Sequence, residues 1–443
     1  MQLLTKSGKF VSCRPRCSVK SFSIPEWSKE RRRPLFWPDL NASISRDLLL
    51  KDYIPLKREI RKKVFHSEWS VQFDFASWYD QLPMDAEISP LFSVDGKTCL
   101  RSLPMGFRPS AEVAHIITEV IADFPLPEGV NVVVYIDNIR FGGLNKVDVQ
   151  KAASDFLARA DKVGAVLNER SCVPKRQEDF LGERFNLTKK TRCLTKKTLD
   201  KVRAALTVLP SRMSYRQVAA VFGLSFFCSE VLDLPLAKHF KAMRYYRKTM
   251  AAVDHWDNVA PSLSDEDKKS LTCWLKAILH NKPVPTWTSD ESFPTLTIYC
   301  DASAYGWGAV CVSSSGVKEA GAPWSEEEKS RHNVQLSTVA EPLAVNKAVA
   351  AFVSTSCQHV KIMSDHQGLI FAGNAGYGKG LDYNNMCLKL LEAFPDTTFS
   401  FEFIPGELNV LADALSRNAC NKIKTINKDI KMKNTSNDNK RLG

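Results

Sequence analysis

The sequence predicts a mixed α+β or α/β protein of several domains. Its 443 residues exceed what one hydrophobic core ordinarily serves, which favours roughly two to four domains. Residues 71–190 alternate strand-like and helix-like segments, residues 191–285 are mostly of helical period, and the alternation resumes from about 290 to Arg417. Apolar residues make up 44%, so most of the chain is expected to be globular.

The segments are justified in order. Residues 1–70 are basic and punctuated by Pro, with Arg31-Arg32-Arg33-Pro34 among them. Next, Val71-Gln72-Phe73-Asp74-Phe75 reads as a strand that ends on an acid. Val132-Val133-Val134, Tyr135-Ile136-Asp137-Asn138 and Ile139-Arg140-Phe141 read as a β-hairpin with Asp-Asn at its tip. Each acid would thus stand at the end of its own strand, and the two could converge on a divalent metal. Helices are expected over Leu199–Leu206, Tyr215–Leu232 and Leu236–Val253, followed by the Pro-containing linker 281–285. Leu296 to Cys300 alternates as a strand and runs into Asp301. Glu341 lies early in an apolar-periodic helix, Thr338 to Val353, and Asp365 follows the strand-like run Val360 to Ser364. Residues 418–443 are rich in Lys and Asn, with few large apolar groups, and are expected to be disordered.

Composition narrows the partners. The net charge is +12 and the pI about 9.0, with the excess spread along the chain, which favours a polyanion. Twelve cysteines without regular spacing fit a reducing compartment and no disulfide framework; Cys13 and Cys17 read as ordinary thiols rather than a zinc site. No apolar stretch approaches ~20 residues, so no membrane span is expected. With no signal-peptide core, the expected location is cytoplasmic or nuclear.

The order of motifs adds a resemblance. Phe73-Asp74-Phe75-Ala76-Ser77-Trp78-Tyr79, then Leu103-Pro104-Met105-Gly106, then Tyr135-Ile136-Asp137-Asn138, then Leu167-Asn168 and Phe180-Leu181-Gly182 resemble reverse transcriptase motifs A to E. The resemblance spans about residues 20–250. It implies a right-hand polymerase: fingers and palm over 1–190 and a mostly helical thumb over 191–285. Asp74 and Asp137, with the backbone carbonyl of Phe75, would hold two Mg²⁺ (or Mn²⁺) ~3.5–4 Å apart. Tyr79, five residues after Asp74, would lie under the incoming sugar and select dNTP over rNTP, unless it is a core aromatic. Gly106 would let backbone approach the nucleotide, and Met105 would line the same pocket. Arg31, Arg32 and Arg33 match the fingers arginines that grip the triphosphate; a solvated basic run is the other reading. Lys57, Arg58, Arg61, Lys62 and Lys63 read as template contacts or plain surface.

Two departures stand out. The family usually has a second Asp where Asn138 stands, which implies weakened or altered metal affinity; Asn also tolerates the φ > 0 that a hairpin turn can demand. The motif D Lys is missing, and Arg170 or Lys175 would take its place as proton donor.

A second resemblance covers about residues 294–417. Asp301, Glu341, Asp365 and Asp413, the last within Ile404-Pro405-Gly406-Glu407 to Arg417, resemble the four acids of ribonuclease H. They too would hold two Mg²⁺. The family's loop His is absent. Asn333, Gln335, Ser337 and Asn384 are candidate contacts to the hybrid, and Trp307 reads as core. The layout resembles a retrotransposon reverse transcriptase/ribonuclease H of the long-terminal-repeat or tyrosine-recombinase type: polymerase, then an RNase H-like mixed β-sheet domain with helices (286–417), then the basic tail. Implied partners are an RNA template, a DNA primer, the RNA–DNA hybrid, dNTPs and other retroelement proteins. The alternative is a nucleic-acid-binding protein, impaired as a polymerase by Asn138, that keeps at most RNase H activity.

Overall fold

The computed structural model describes residues 9–12, 14, 16–26, 31–45, 54–209, 212–287, 296–354 and 359–417. The chain is mixed α/β and divides into two compact units, one of residues 1–193 with 283–288, the other of 194–282 with 289–443. The helical segment and the C-terminal sheet thus cluster together. The basic tail lies outside the described residues.

In the first unit, β1 (Phe10–Ser12) pairs with β5 (Thr98–Leu100), and β2 (Val19–Glu26) forms an antiparallel hairpin with β3 (Arg31–Pro38). The central sheet has the order β4 (Trp69–Asp74), β7 (Asn138–Gly143), β6 (Val130–Tyr135), all antiparallel. Helices α1 (Lys57–Phe65), α2 (Ser110–Ala122) and α3 (Lys146–Lys162) belong to the same unit. The α3 helix starts at an Asn145 cap that accepts from the Val147 N–H. It lays Ala152, Ala153 and Phe156, all fully buried, against Phe73 and Phe141 of the sheet. The two alanines leave room for close approach, and Phe156 packs on the rings of Phe73 and Phe141. A four-stranded sheet follows: β8 (Gln177–Phe180), β9 (Glu183–Asn186), β10 (Thr191–Leu194) and β11 (Val284–Pro285).

Two ion pairs tie these elements together, one between the sheets and one from helix α1 to the second sheet. Arg140 on β7 donates to Glu178 on β8 at 2.7 Å, and Ser70 and Gln72 of β4 donate to the same carboxylate. Arg61 of α1 makes a bidentate pair with Glu183 at 3.0 and 2.8 Å, and Lys63 donates to the Val132 carbonyl. Arg61 therefore serves the fold, against the expectation of a template contact or plain surface, while Lys63 stays exposed. Cys99, buried on β5, is disulfide-bonded, a pairing the scattered cysteines did not predict.

In the second unit, α4 (Lys196–Val208), α5 (Tyr215–Val231), α6 (Phe240–Ala251) and α7 (Asp265–Leu279) pack around Phe222 and Trp274. The Trp274 indole donates to Ser229 at 2.7 Å and stacks on His239, whose imidazole burial pushes down to about 4. The sheet has the order β14 (Gly316–Pro323), β13 (Gly306–Ser313), β12 (Leu296–Ala302), β15 (His359–Ser364), β16 (Thr398–Phe403). The β12–β13–β14 meander is antiparallel, and β12–β15 and β15–β16 are parallel. Further helices are α8 (Glu326–Arg331), α9 (Ser337–Phe352), α10 (Gln367–Ala375), α11 (Leu381–Ala393) and α12 (Val410–Ser416). The small buried face of α9 (Ala340, Ala344, Val345, Ala348, Val349) packs into the same core as β12. Gly308 on β13 admits α12, since a Cβ there would collide with the Ala412 carbonyl and Leu415.

Candidate active sites

The first site is a cleft of about 320 Å³ in the first unit. Asp74, Asp137, Tyr79, Met105, Arg32 and Arg33 all line it. Asp74 ends β4 and pairs with Asn138, the first residue of β7. Asn168 donates its amide to Asp74 Oδ2 at 2.6 Å, and the Phe75 N–H donates to the Asp137 carbonyl at 3.1 Å. The two acids are thus side by side although 63 residues separate them in the chain (137 − 74).

The hairpin tip differs from the expected Asp-Asn. Tyr135 pairs with Asn138, so the two-residue turn is Ile136-Asp137. The positive φ, +58°, falls on Ile136, as at the first corner of a type II′ turn. A β-branched residue there costs about 1–3 kcal/mol. Ile136 packs its side chain on the core of the unit, which offsets part of that cost. Asn138 needs no unusual backbone: it sits in the ladder, and its amide donates to Asp137 Oδ1 at 2.9 Å.

Burial raises the Asp137 carboxyl above its usual range. Its own backbone amide opposes the shift and the Asp74 charge adds to it, while Asn138 and Arg33 lower it. Burial and then the Asp137 charge likewise raise Tyr79, with Arg33 opposing. A half-buried carboxylate beside another, in reach of a guanidinium, is a place for a cation and an anion together.

The remaining candidates are placed as follows. Arg33 donates to the Met105 sulfur at 3.8 Å. Arg32 donates from Nε to Ser23 Oγ at 2.7 Å. Arg31 lies on β3, and its side chain lies outside the described residues. Gly106 does not line the cleft: its φ is +119°, and a Cβ would meet the Phe36 carbonyl at 2.5 Å. It serves the packing of the 102–106 loop on β3, where the Phe36 N–H donates to the Met105 carbonyl at 2.9 Å. Arg170 pairs with Asp161 at the surface. Asn168, part of the motif series, lines the cleft as well, and Lys9, paired with Asp80, is a lining residue the sequence did not single out.

The second site lies in the second unit. Asp301 on β12, Glu341 on α9 and Asp365 just after β15 offer carboxylate oxygens within 4.8 Å of one another. Among the described residues this is the one such group of three. Asp413 stands apart from that trio: its Oδ1 accepts from Arg417 Nε at 2.7 Å, one helical turn on. Its charge still reaches Asp301. Ser416 donates to Asp301 Oδ2 at 2.6 Å.

Burial pushes Glu341 up to about 9, with the Asp301 and Asp365 charges adding and the Ala302 amide opposing. Asp301 rises to about 6 by burial, held back by Ser416 and raised further by Asp413 and Asp365. Glu341 Oε2 is buried without a hydrogen-bond partner. A buried, unpartnered carboxylate oxygen within a cluster of acids fits a divalent cation, which would satisfy the oxygen and remove the repulsion. The cluster could hold a metal ion.

Other expectations for this region divide. Trp307 is buried in the core, as read. Asn384 is buried too, and its amide donates to the Ala237 carbonyl at 2.9 Å, so it ties α11 to the turn before α6 rather than facing a ligand. Asn333 and Gln335 are exposed ahead of α9, and Ser337 is exposed at its first position.

The sequence matches no protein-family model, and no curated protein matches it. Among solved structures, the chain is similar to a foamy viral protease-reverse transcriptase, dRH, in complex with double-stranded DNA. The identity is 16% and the TM-score 0.49, over 90% of this chain and 68% of that one. It is also similar to the foamy viral protease-reverse transcriptase in complex with double-stranded DNA (15% identity, TM-score 0.48, 91% of this chain, 81% of that one). A third likeness is to that enzyme in complex with an RNA/DNA hybrid (15%, TM-score 0.49, 91% and 52%). No helix among the described residues is long and apolar enough to cross a membrane.

Proposed function

We propose that the chain is a retroelement RNA-directed DNA polymerase with RNase H activity, working inside the cell on an RNA template, a DNA primer and dNTPs. Fingers and palm would occupy 1–190, the thumb 191–285 and the RNase H domain 286–417. The observation that carries the reading is the meeting of Asp74, at the end of β4, and Asp137, in the turn that leads into the neighbouring β7, at a cleft that also holds Tyr79, Met105 and Arg33.

In this reading Asp74, Asp137 and the Phe75 carbonyl hold Mg²⁺ in the first site. Asp301, Glu341, Asp365 and Asp413 hold it in the second. Bound Mg²⁺ supplies activation of the attacking oxygen and stabilisation of the leaving group at each site. Tyr79 presents a ring beneath the sugar, and a 2′-hydroxyl meets it. Arg32 and Arg33 bind the triphosphate through their guanidinium planes. Asn168 and Asn138 orient the two carboxylates by donating an amide to each. In the second site Ser416 and the Ala302 N–H orient Asp301 and Glu341.

One observation favours a narrower reading, a hybrid nuclease and nucleic-acid binder with an impaired polymerase. Three acids gather in the second site, whereas in the first two meet beside the amide of Asn138 and the third lining acid, Asp80, is paired with Lys9. Primer extension on poly(rA)/oligo(dT) separates the two. Extension lost in Asp74→Asn and kept in Asp301→Asn supports the full enzyme. Hybrid cleavage without extension, in Mg²⁺ or Mn²⁺, supports the narrower one.

A further inference from the structure

We propose that His115 is a positioning residue whose buried imidazole holds the strained turn that presents Asp137. His115 lies on α2, is 0% exposed, and belongs to none of the motif positions read above. Its Nδ1 accepts the Ile136 N–H at 3.1 Å. The first corner of a two-residue hairpin turn has no partner in the ladder for its N–H, so a side chain must take it or leave it unsatisfied. Accepting at Nδ1 requires that nitrogen to be bare and puts the ring proton on Nε2, which faces Glu119 Oε1 at 3.4 Å.

The turn is then tied on both sides of Asp137. His115 fixes the corner before it, the Phe75 N–H holds its carbonyl, and Asn138 holds its carboxylate. With the Ile136 bond removed, the positive φ loses its support and the turn can relax to a conformation that points Asp137 elsewhere. The consequence for activity rests on the polymerase reading; the hydrogen bond does not.

The test uses the full chain and two variants. His115→Asn keeps an acceptor where Nδ1 lies, and His115→Leu removes it at similar bulk. Amide exchange at Ile136 is expected to be slow in wild type and H115N and about tenfold or more faster in H115L. Amides of β4 and β7 keep their rates. In steady-state extension, H115L loses kcat about tenfold with little change in hybrid affinity, and H115N recovers it. Unchanged Ile136 exchange in H115L overturns the proposal, and so does H115N behaving like H115L or faster exchange with undiminished kcat. The ¹⁵N shift of His115 Nδ1 in wild type gives a reading that no variant can spoil by misfolding. A bare, accepting nitrogen agrees with the proposal and a protonated one contradicts it. A wild-type chain that extends no primer yet protects Ile136 refutes the polymerase reading and leaves the brace in place.

Discussion

Replacing Glu341 by Gln should stabilise the metal-free protein at alkaline pH. Glu341 is 5% exposed, and its carboxyl is raised from 4.5 to about 9 by burial and by Asp301 and Asp365. Between those two values the unfolded chain carries the ionised form and the folded, metal-free chain the neutral one. The unfolded state therefore binds fewer protons. Stability is full below the lower value and is lost as pH rises toward the higher one, by up to 1.36 kcal/mol per unit. At pH 7.5 the ceiling is about 4 kcal/mol, and sharing of the proton among three coupled acids brings it to about 2 kcal/mol. Gln keeps an acceptor for the Ala302 N–H and turns the unpartnered Oε2 into a donor aimed at the neighbouring carboxylates. In EDTA, E341Q should melt roughly 4–8 °C above wild type at pH 8, with the gap closing toward pH 5. Mg²⁺ should raise the wild-type Tm and close the gap from the other side. Calorimetry across pH, with and without Mg²⁺, measures both. An E341Q variant no more stable than wild type at pH 8 in EDTA would refute the claim that this acid is buried for a cation's sake.

Three other outcomes are expected. Tyr79→Val should lower the dNTP-over-rNTP preference about tenfold, removing about 1.4 kcal/mol of discrimination, read from the ratio of kcat/KM values. Asn138→Asp replaces the amide donor to Asp137 by a second carboxylate; the Mg²⁺ concentration for half-maximal extension should fall, while the metal-free first unit loses stability. Arg140→Met strands Glu178 in the interior and should cost about 3–5 kcal/mol in urea unfolding, with the double change Arg140→Met/Glu178→Met recovering much of it.

The mixed α/β class was legible because the strands announce themselves locally. Val71 to Asp74 and Val132 to Tyr135 are short apolar runs that end on polar groups, and Leu296 to Cys300 alternates. The acids were legible as the polar ends of those runs. The turn offset was not: Ile136 takes the corner because a buried imidazole from another helix receives its N–H, and no periodicity encodes that partner. The same holds for Arg140–Glu178 and Arg61–Glu183, pairs between distant segments that look like ordinary surface charges in the sequence. Asn384 also looked free to meet a ligand, and only the packing of α11 on the 236–239 turn shows its amide spent inside. The α7 helix carries its own start signal in the sequence, although it is not among the three helices expected there. Ser264 followed by Asp265-Glu266-Asp267 is a capped start with acids in the first turn, and Ser264 does accept the Asp267 N–H. Asp413 belongs with the other acids by motif, yet Arg417, one turn along, takes its carboxylate.

The most direct test is anomalous scattering from crystals soaked in Mn²⁺. The account predicts one set of peaks between Asp74 and Asp137 and a second among Asp301, Glu341 and Asp365. Strong peaks elsewhere on the chain, or none at these carboxylates at saturating Mn²⁺, would contradict it.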